Sequence, residues 1–300
     1  MSEAPAIALT DRIPYQAIVD RPQLRLPDGK RLAVWVILNV EVWRIENPMP
    51  RTVLPPPMGQ PLLPDVPNWA WHEYGMRSGF WRQWKALTDR EIPTTLAING
   101  AVCSAYPRVA SAAKDAGWEF MGHGLLQGPM HKLPDQEAAI VEAIAAIEAF
   151  RGEPVRSWES PGLTETEDTL DLLRKHGVEY VADWVIDDLP QEVATPFGRI
   201  TTIPYTVETN DIAVFALQGH ESDVFLKRGR DQFDRLYAEG RENARVMAIS
   251  IHPYITGAPH RIRYLEDLLD HVMGHDGVVW MTASEIGDWY ATELARLGLG

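Results

Sequence analysis

An α/β barrel of about seven strand–helix units is the fold this sequence predicts, on three observations. Short apolar runs alternate with helix-like segments after residue 30; the runs are apolar throughout rather than at every second residue; and polar residues stand directly after several of them. Alternation implies parallel strands joined by helical crossovers. Unbroken apolarity implies burial on both faces of a sheet. In a parallel barrel, polar residues at the C-terminal strand ends line the mouth where chemistry takes place.

The strand-like runs are residues 32–40, 94–98, 118–121, 155–158, 179–182, 212–217, 246–251 and 278–281. Between them, Pro107 stands where a helix starts without losing a hydrogen bond, and Gly117 where one stops. Ile140, Ile144 and Ile147 make one apolar stripe on a helix expected over about 135–150. Thr164 with Glu167, and Thr282 with Glu285, have capping-box spacing, in which each side chain satisfies the other residue's free backbone N–H. Gly177 closes the first of these helices, and Ile286, Trp289, Tyr290 and Leu294 make the buried face of the second.

No repeat or boundary divides residues 1–300, so one catalytic barrel domain is expected, interrupted by a proline-rich excursion at 48–67. Its eight prolines remove too many N–H donors for normal sheet pairing. It is either a lid or oligomer contact following the strand that bears Glu41, or an ordinary packed loop.

The 45% hydrophobic and 23% charged residues are those of a globular chain. A formal charge of -14 repels phosphate backbones and anionic lipid, so neither nucleic acid nor membrane is an expected partner. Cys103 is the single cysteine and permits no intrachain disulfide. The first residues have neither a basic n-region nor an apolar h-region, and the longest apolar runs, 32–38 and 212–217, are too short to span a bilayer. A cytoplasmic protein is expected.

Four strand ends carry candidate chemistry. Asn39 and Glu41, two apart on an extended run, share one face, and a carboxylate placed there needs a partner. His123 ends a strand between two glycines that permit tight turns and close approach of a ligand. His252 follows the run 246–251 and precedes Pro253; its near-neutral imidazole suits protonation of a leaving nitrogen. Glu159, in Trp158-Glu159-Ser160-Pro161-Gly162, is either a second acid or base or a partner of Arg156.

The order of these features resembles the polysaccharide deacetylase family over residues 30–290. That resemblance implies a distorted (β/α)7 barrel and hydrolysis of carbon–nitrogen bonds other than peptide bonds. Within the family the chain is most similar to the cofactor-independent allantoinase and cyclic amide hydrolase branch. The similarity rests on the runs 36–41, His72-Glu73-Tyr74-Gly75-Met76-Arg77-Ser78-Gly79-Phe80-Trp81-Arg82, Gly122-His123-Gly124, Glu208-Thr209-Asn210-Asp211, 217–219 and 236–240.

Departures from the family pattern bear on mechanism. A metal-using member has an Asp pair, base and ligand, at the first motif and a second histidine four residues after the first. Here Asn39 and Glu41 hold the first two positions and Gln127 the third. A set of Glu41, His123 and Gln127 is a poor zinc site, because a carboxamide is a weak ligand beside imidazole or thiolate. His131, eight residues after His123, is expected to be exposed. The reading is therefore a cofactor-free enzyme. Glu41 activates water, His123 polarises the carbonyl or holds Glu41, and His252 protonates the leaving nitrogen.

Such chemistry suits a small cyclic amide, imide or ureide. Asn39, Tyr74, Arg77, Trp81, Glu159 and Asn210 are the candidate substrate-binding residues, with Arg82 as an alternative to Arg77. Trp43, Trp158 and Trp184 either join an aromatic pocket or pack in the core. Asn210 and Asp211 read amide groups by resemblance alone, and a homo-oligomer is expected. Two rival readings are a metal-dependent polysaccharide or oligosaccharide deacetylase and a non-catalytic carbohydrate-binding protein on the same barrel.

Overall fold

The structure is a computed structural model that describes residues 8–56 and 59–299; Pro57 and Met58 of the excursion lie outside the described residues. The elements run β1 (Leu32–Val40), α1 (Val66–Tyr74), α2 (Phe80–Thr88), β2 (Thr94–Ile98), α3 (Val102–Ala105), α4 (Pro107–Asp115), β3 (Glu119–Gly122), α5 (Gln136–Arg151), β4 (Ser157–Trp158), α6 (Thr169–Lys175), β5 (Tyr180–Val181), β6 (Gln191–Thr195), β7 (Gly198–Thr202), α7 (Ser222–Glu239), β8 (Arg245–Ile251), α8 (Ile262–Met273), β9 (Val278–Trp280) and α9 (Ala283–Leu297). They form one curled sheet in the order β6-β7-β5-β4-β3-β2-β1-β8, with β9 also paired to β1. Every pairing is parallel except the β6–β7 hairpin. The distorted parallel barrel expected from the sequence is present.

Alternation along β1 explains where the site lies. Leu32, Val34, Val36, Leu38 and Val40 pack into the cluster shared with the surrounding helices. Ala33, Trp35 and Ile37 face the other way, into a second cluster with Ala97, Met121 and Ala248. The N-terminal residues Leu24 and Leu26 and the buried face of α9 close this inner cluster. Asn39 and Glu41 continue the inward series, so the polar pair caps the apolar interior where the strand ends.

Several local expectations are met. Helix α4 starts at Pro107, α5 is capped by Asp135 through Ala138 N, and the Thr282–Glu285 capping box opens α9. Others are corrected. Thr164 caps no helix: its hydroxyl bonds the Pro161 carbonyl, and α6 starts only at Thr169. Residues 212–217, read as a strand, form a π-helical turn with Ile212, Val214 and Phe215 buried. A short, wholly apolar run has no period that distinguishes strand from buried helix. The β6–β7 hairpin has no clear sequence signal because it is half-buried, with only Val193, Thr195, Ile200 and Thr202 buried.

Among its described residues the proline-rich excursion contains no strand. It is tied to the start of α1 by Asn68, whose carboxamide accepts from Val53 N (2.8 Å) and Leu54 N (3.1 Å) and donates to the Leu54 carbonyl (2.9 Å). Between α1 and α2 a π-helical turn, Gly75–Gly79, lies against the loop after His252. A Cβ on Gly79 would stand 1.9 Å from the Pro253 carbonyl oxygen, so only hydrogen fits there. Gly79→Ala is expected to lower stability by about 1–3 kcal/mol through overpacking. Denaturant unfolding with an unchanged midpoint would contradict this close approach.

Candidate active site

Glu41, His123, Glu159 and His252 each stand one residue past a strand: β1, β3, β4 and β8 respectively. All four are at most 5% exposed, and all four line one cavity of about 190 Å³. Glu41 Oε1 lies 3.7 Å from His123 Nε2 and 3.8 Å from His252 Nε2. These spans exceed hydrogen-bond length, so the carboxylate and the two imidazoles face one another across a gap. The other carboxylate oxygen accepts from Trp43 Nε1 at 2.9 Å.

Each imidazole is held from behind. His252 Nδ1 bonds Asp211 Oδ1 at 2.7 Å, and Asp211 Oδ2 accepts from the backbone N–H groups of His252 and Thr256 and from the Thr256 hydroxyl. His123 Nδ1 bonds the Glu159 carbonyl at 2.7 Å. A carbonyl only accepts, so His123 carries a proton on Nδ1 and presents Nε2 to Glu41. Asp211 orients His252 in the same sense.

Burial pushes the Glu41 carboxyl up, but the facing His123, together with the charges of His252 and Arg51, outweighs burial and holds it at about 2. Glu41 is therefore held in its ionised form at neutral pH. Burial lowers the His123 pKa, whereas Glu41 and Glu159 raise it by more, so the net shift is upward. Burial pushes Glu159 to about 7, with Asp183 adding to the rise against the pull of His123 and His252. The buried Glu159 Oε2 has no hydrogen-bond partner among the described residues. Arg156 pairs with Glu179 and Asp288, so the reading of Glu159 as its partner does not hold.

Asn39 and Asn210 also line the cavity. Asn39 Nδ2 donates to Ser250 Oγ and the Ile251 carbonyl, and its buried Oδ1 has no partner among the described residues. Asn210 donates to the Tyr205 hydroxyl, which meets Ser250 Oγ at 2.7 Å.

Tyr74, Arg77 and Trp81 do not line the cavity. The Tyr74 hydroxyl accepts from Arg82, which also donates to the Gly257 carbonyl. Arg77 pairs with Glu73 and points outward, with 74% of its side chain exposed. Trp81 packs on Phe80 and Trp84. The run 72–82 packs against the loop behind His252 and does not reach the cavity lining. Trp158 is core, and Trp184 bonds Glu165. Gly122 makes room for the Trp158 ring, which would lie 2.4 Å from a Cβ there; the expectation of a ligand approach is replaced by a packed indole.

Three lining features were not read from the sequence. Arg51 reaches the cavity from the proline-rich excursion, and Tyr205 enters from the segment after β7. Leu163, Val207, Ile212, Ala213 and Leu217 form an apolar wall. Asp211, expected with Asn210 to read amide groups, has its carboxylate bonded to His252 and Thr256 instead.

The residues do not fit a zinc ion well. Gln127 lines the cavity, but its carboxamide oxygen accepts from Asn99 Nδ2 at 3.1 Å. Among the described residues, the donor atoms of Glu41, His123 and His252 do not all come within 4.8 Å of one another; only Asp234, His271 and His275 make such a set. His131 is exposed and lies outside the cavity. A larger surface groove of about 1190 Å³, over α7 and residues 185–188, contains no histidine.

The polysaccharide deacetylase family model matches residues 71–181. A Schizosaccharomyces pombe protein bearing the polysaccharide deacetylase name is 30% identical over 233 residues, covering 71% of this chain and 72% of its own. Among solved structures, PuuE allantoinase has 26% identity and a TM-score of 0.81, covering 91% of this chain and 94% of its own. A Pseudomonas aeruginosa PAO1 protein described as a polysaccharide deacetylase has 26% identity and a TM-score of 0.82, covering 91% and 95%. Among the described residues no helix is long and apolar enough to cross a membrane.

Proposed function

The chain belongs to the polysaccharide deacetylase family, and from that premise we propose that it is a hydrolase that opens a small cyclic amide, imide or ureide without a metal. One observation carries this reading: a buried Glu41 carboxylate faces two imidazoles, each held by a group behind it, in a cavity of about 190 Å³. That volume is below the roughly 300 Å³ at which drug-sized sites begin, which favours a single small ring over a sugar polymer.

In the proposed reaction Glu41 takes a proton from water as its oxygen adds to the carbonyl carbon. His123, in the doubly protonated form that its raised pKa favours, donates through Nε2 to the developing oxyanion. The carbon–nitrogen bond breaks as His252 Nε2 protonates the departing nitrogen. The proton that Glu41 took from water then passes across the 3.8 Å gap to restore His252. Asn39, Asn210 and Glu159 supply hydrogen bonds to the ring, and Arg51 attracts electron-rich substituents. Tyr74, Arg77 and Trp81 have no part in this reading.

We take the chain to act as one catalytic unit. Exposed Val53, Leu54, Leu62, Leu63 and Val66 support self-association through the excursion. The testing experiment is turnover of allantoin, hydantoin, dihydrouracil, succinimide and acetylated chito-oligosaccharides, each with and without chelator. Ring opening that survives chelation is the expected result. Release of acetate that chelator abolishes would establish the metal-dependent deacetylase instead.

A further inference from the structure

We infer that Asp234, His271 and His275 form a surface site for a divalent transition cation of the zinc type, separate from the Glu41 cavity. It is the one set of His, Cys, Asp or Glu among the described residues whose donor atoms all lie within 4.8 Å of one another. It shares no residue with the cavity.

Two packed helices and a turn build it. Asp234 lies on α7, His271 two residues before the end of α8, and His275 in the turn just beyond. His271 Nε2 already meets Asp234 Oδ1 at 2.9 Å, a separation that two ligands of one ion can also have. His275 Nδ1 bonds the His271 carbonyl at 2.8 Å. This fixes the proton on Nδ1 and leaves the other ring nitrogen with a free lone pair, the usual support behind a metal-bound imidazole. The rings are also gripped sideways. Phe233 packs edge-on against both imidazoles, at 5.3 and 4.8 Å between centroids, and Tyr237 packs against His275 at 5.1 Å.

The donor chemistry selects the cation. Two imidazoles and one carboxylate suit zinc, copper or nickel, whereas calcium and magnesium require mostly oxygen ligands. Three protein ligands leave a coordination position for water, as in an open zinc site. An ion here would clamp α7 to α8. It would also give the purified protein a zinc content that says nothing about catalysis.

Titration calorimetry of the full chain with zinc chloride, above the pH range where imidazoles protonate, tests the site. Binding of about one ion per chain and a raised unfolding temperature are expected, with no response to calcium or magnesium. His271→Ala and His275→Ala should each weaken zinc binding by more than about tenfold, while Glu41→Gln and His123→Ala leave it unchanged. His275 lies outside α8, so its variant separates loss of a ligand from damage to the helix, and circular dichroism checks that both histidine variants stay folded. Absence of zinc binding by the unaltered protein, retention of binding in both histidine variants, or loss of binding in Glu41→Gln would each overturn the site.

Discussion

Glu41→Gln is expected to lower kcat for ring opening by at least about 10²–10⁴-fold, the range a general base contributes. Glutamine preserves the volume of Glu41, so the fold should persist, but it cannot take a proton from water. The variant should also show a distinct pH signature. A carboxyl brought from 4.5 down to about 2 by folding contributes stability that is fully present above the unfolded pKa and is lost as pH falls through the folded one. A shift of that size corresponds to about 3 kcal/mol. The unaltered protein should therefore be the more stable at neutral pH, with the two converging as pH falls from 4.5 toward 2. Steady-state kinetics and denaturant unfolding across that range check both statements. Near-normal turnover would end the assignment of Glu41 as base, and a pH-independent stability difference would remove the ion-pair explanation.

His252→Ala should cost a comparable factor, about 10²–10⁴ in kcat, and should cost most for substrates with poor leaving nitrogens, because these need the proton most. An equal loss across a series of leaving groups would count against its role as acid. Asp211→Asn is the companion variant. Asp211 touches no cavity space and acts through His252, so it is a positioning residue. Its four acceptor contacts include His252 Nδ1 and the His252 and Thr256 N–H groups. The asparagine NH₂ cannot accept the Nδ1 proton, so the imidazole should settle in the wrong tautomer or orientation. The expected result is a fall in kcat with little change in KM, together with an altered pH profile. A change in KM alone would point to substrate contact instead of positioning.

The site was legible in sequence wherever it is built from strand ends. Burial on both faces of β1 makes Leu32 to Val40 a continuous apolar run, and a polar residue inside or just after such a run must either pair or act. This is why Asn39, Glu41, His123, Glu159 and His252 could be picked out without a structure. Tyr74, Arg77 and Trp81, expected to bind substrate, do not line the cavity. Their run is distinctive because Gly75 and Gly79 let a π-helical turn press on the loop carrying His252, and a distinctive spacing does not say whether it serves packing or ligand. Arg51 had no local signal at all, since its position depends on Asn68 fastening the excursion to α1.

The sequence by itself determined the parallel α/β architecture, the acidic surface and the inward direction of Glu41, because these follow from composition and from periodicity over a few residues. Only the tertiary structure decided that His252 answers to Asp211, forty-one positions away, and that residues 212–217 wall the cavity as a helical turn. It likewise decided that the donors which converge as a metal would require are Asp234, His271 and His275. The physical reason is common to all three: each depends on where distant segments meet, and chain periodicity carries no information about that.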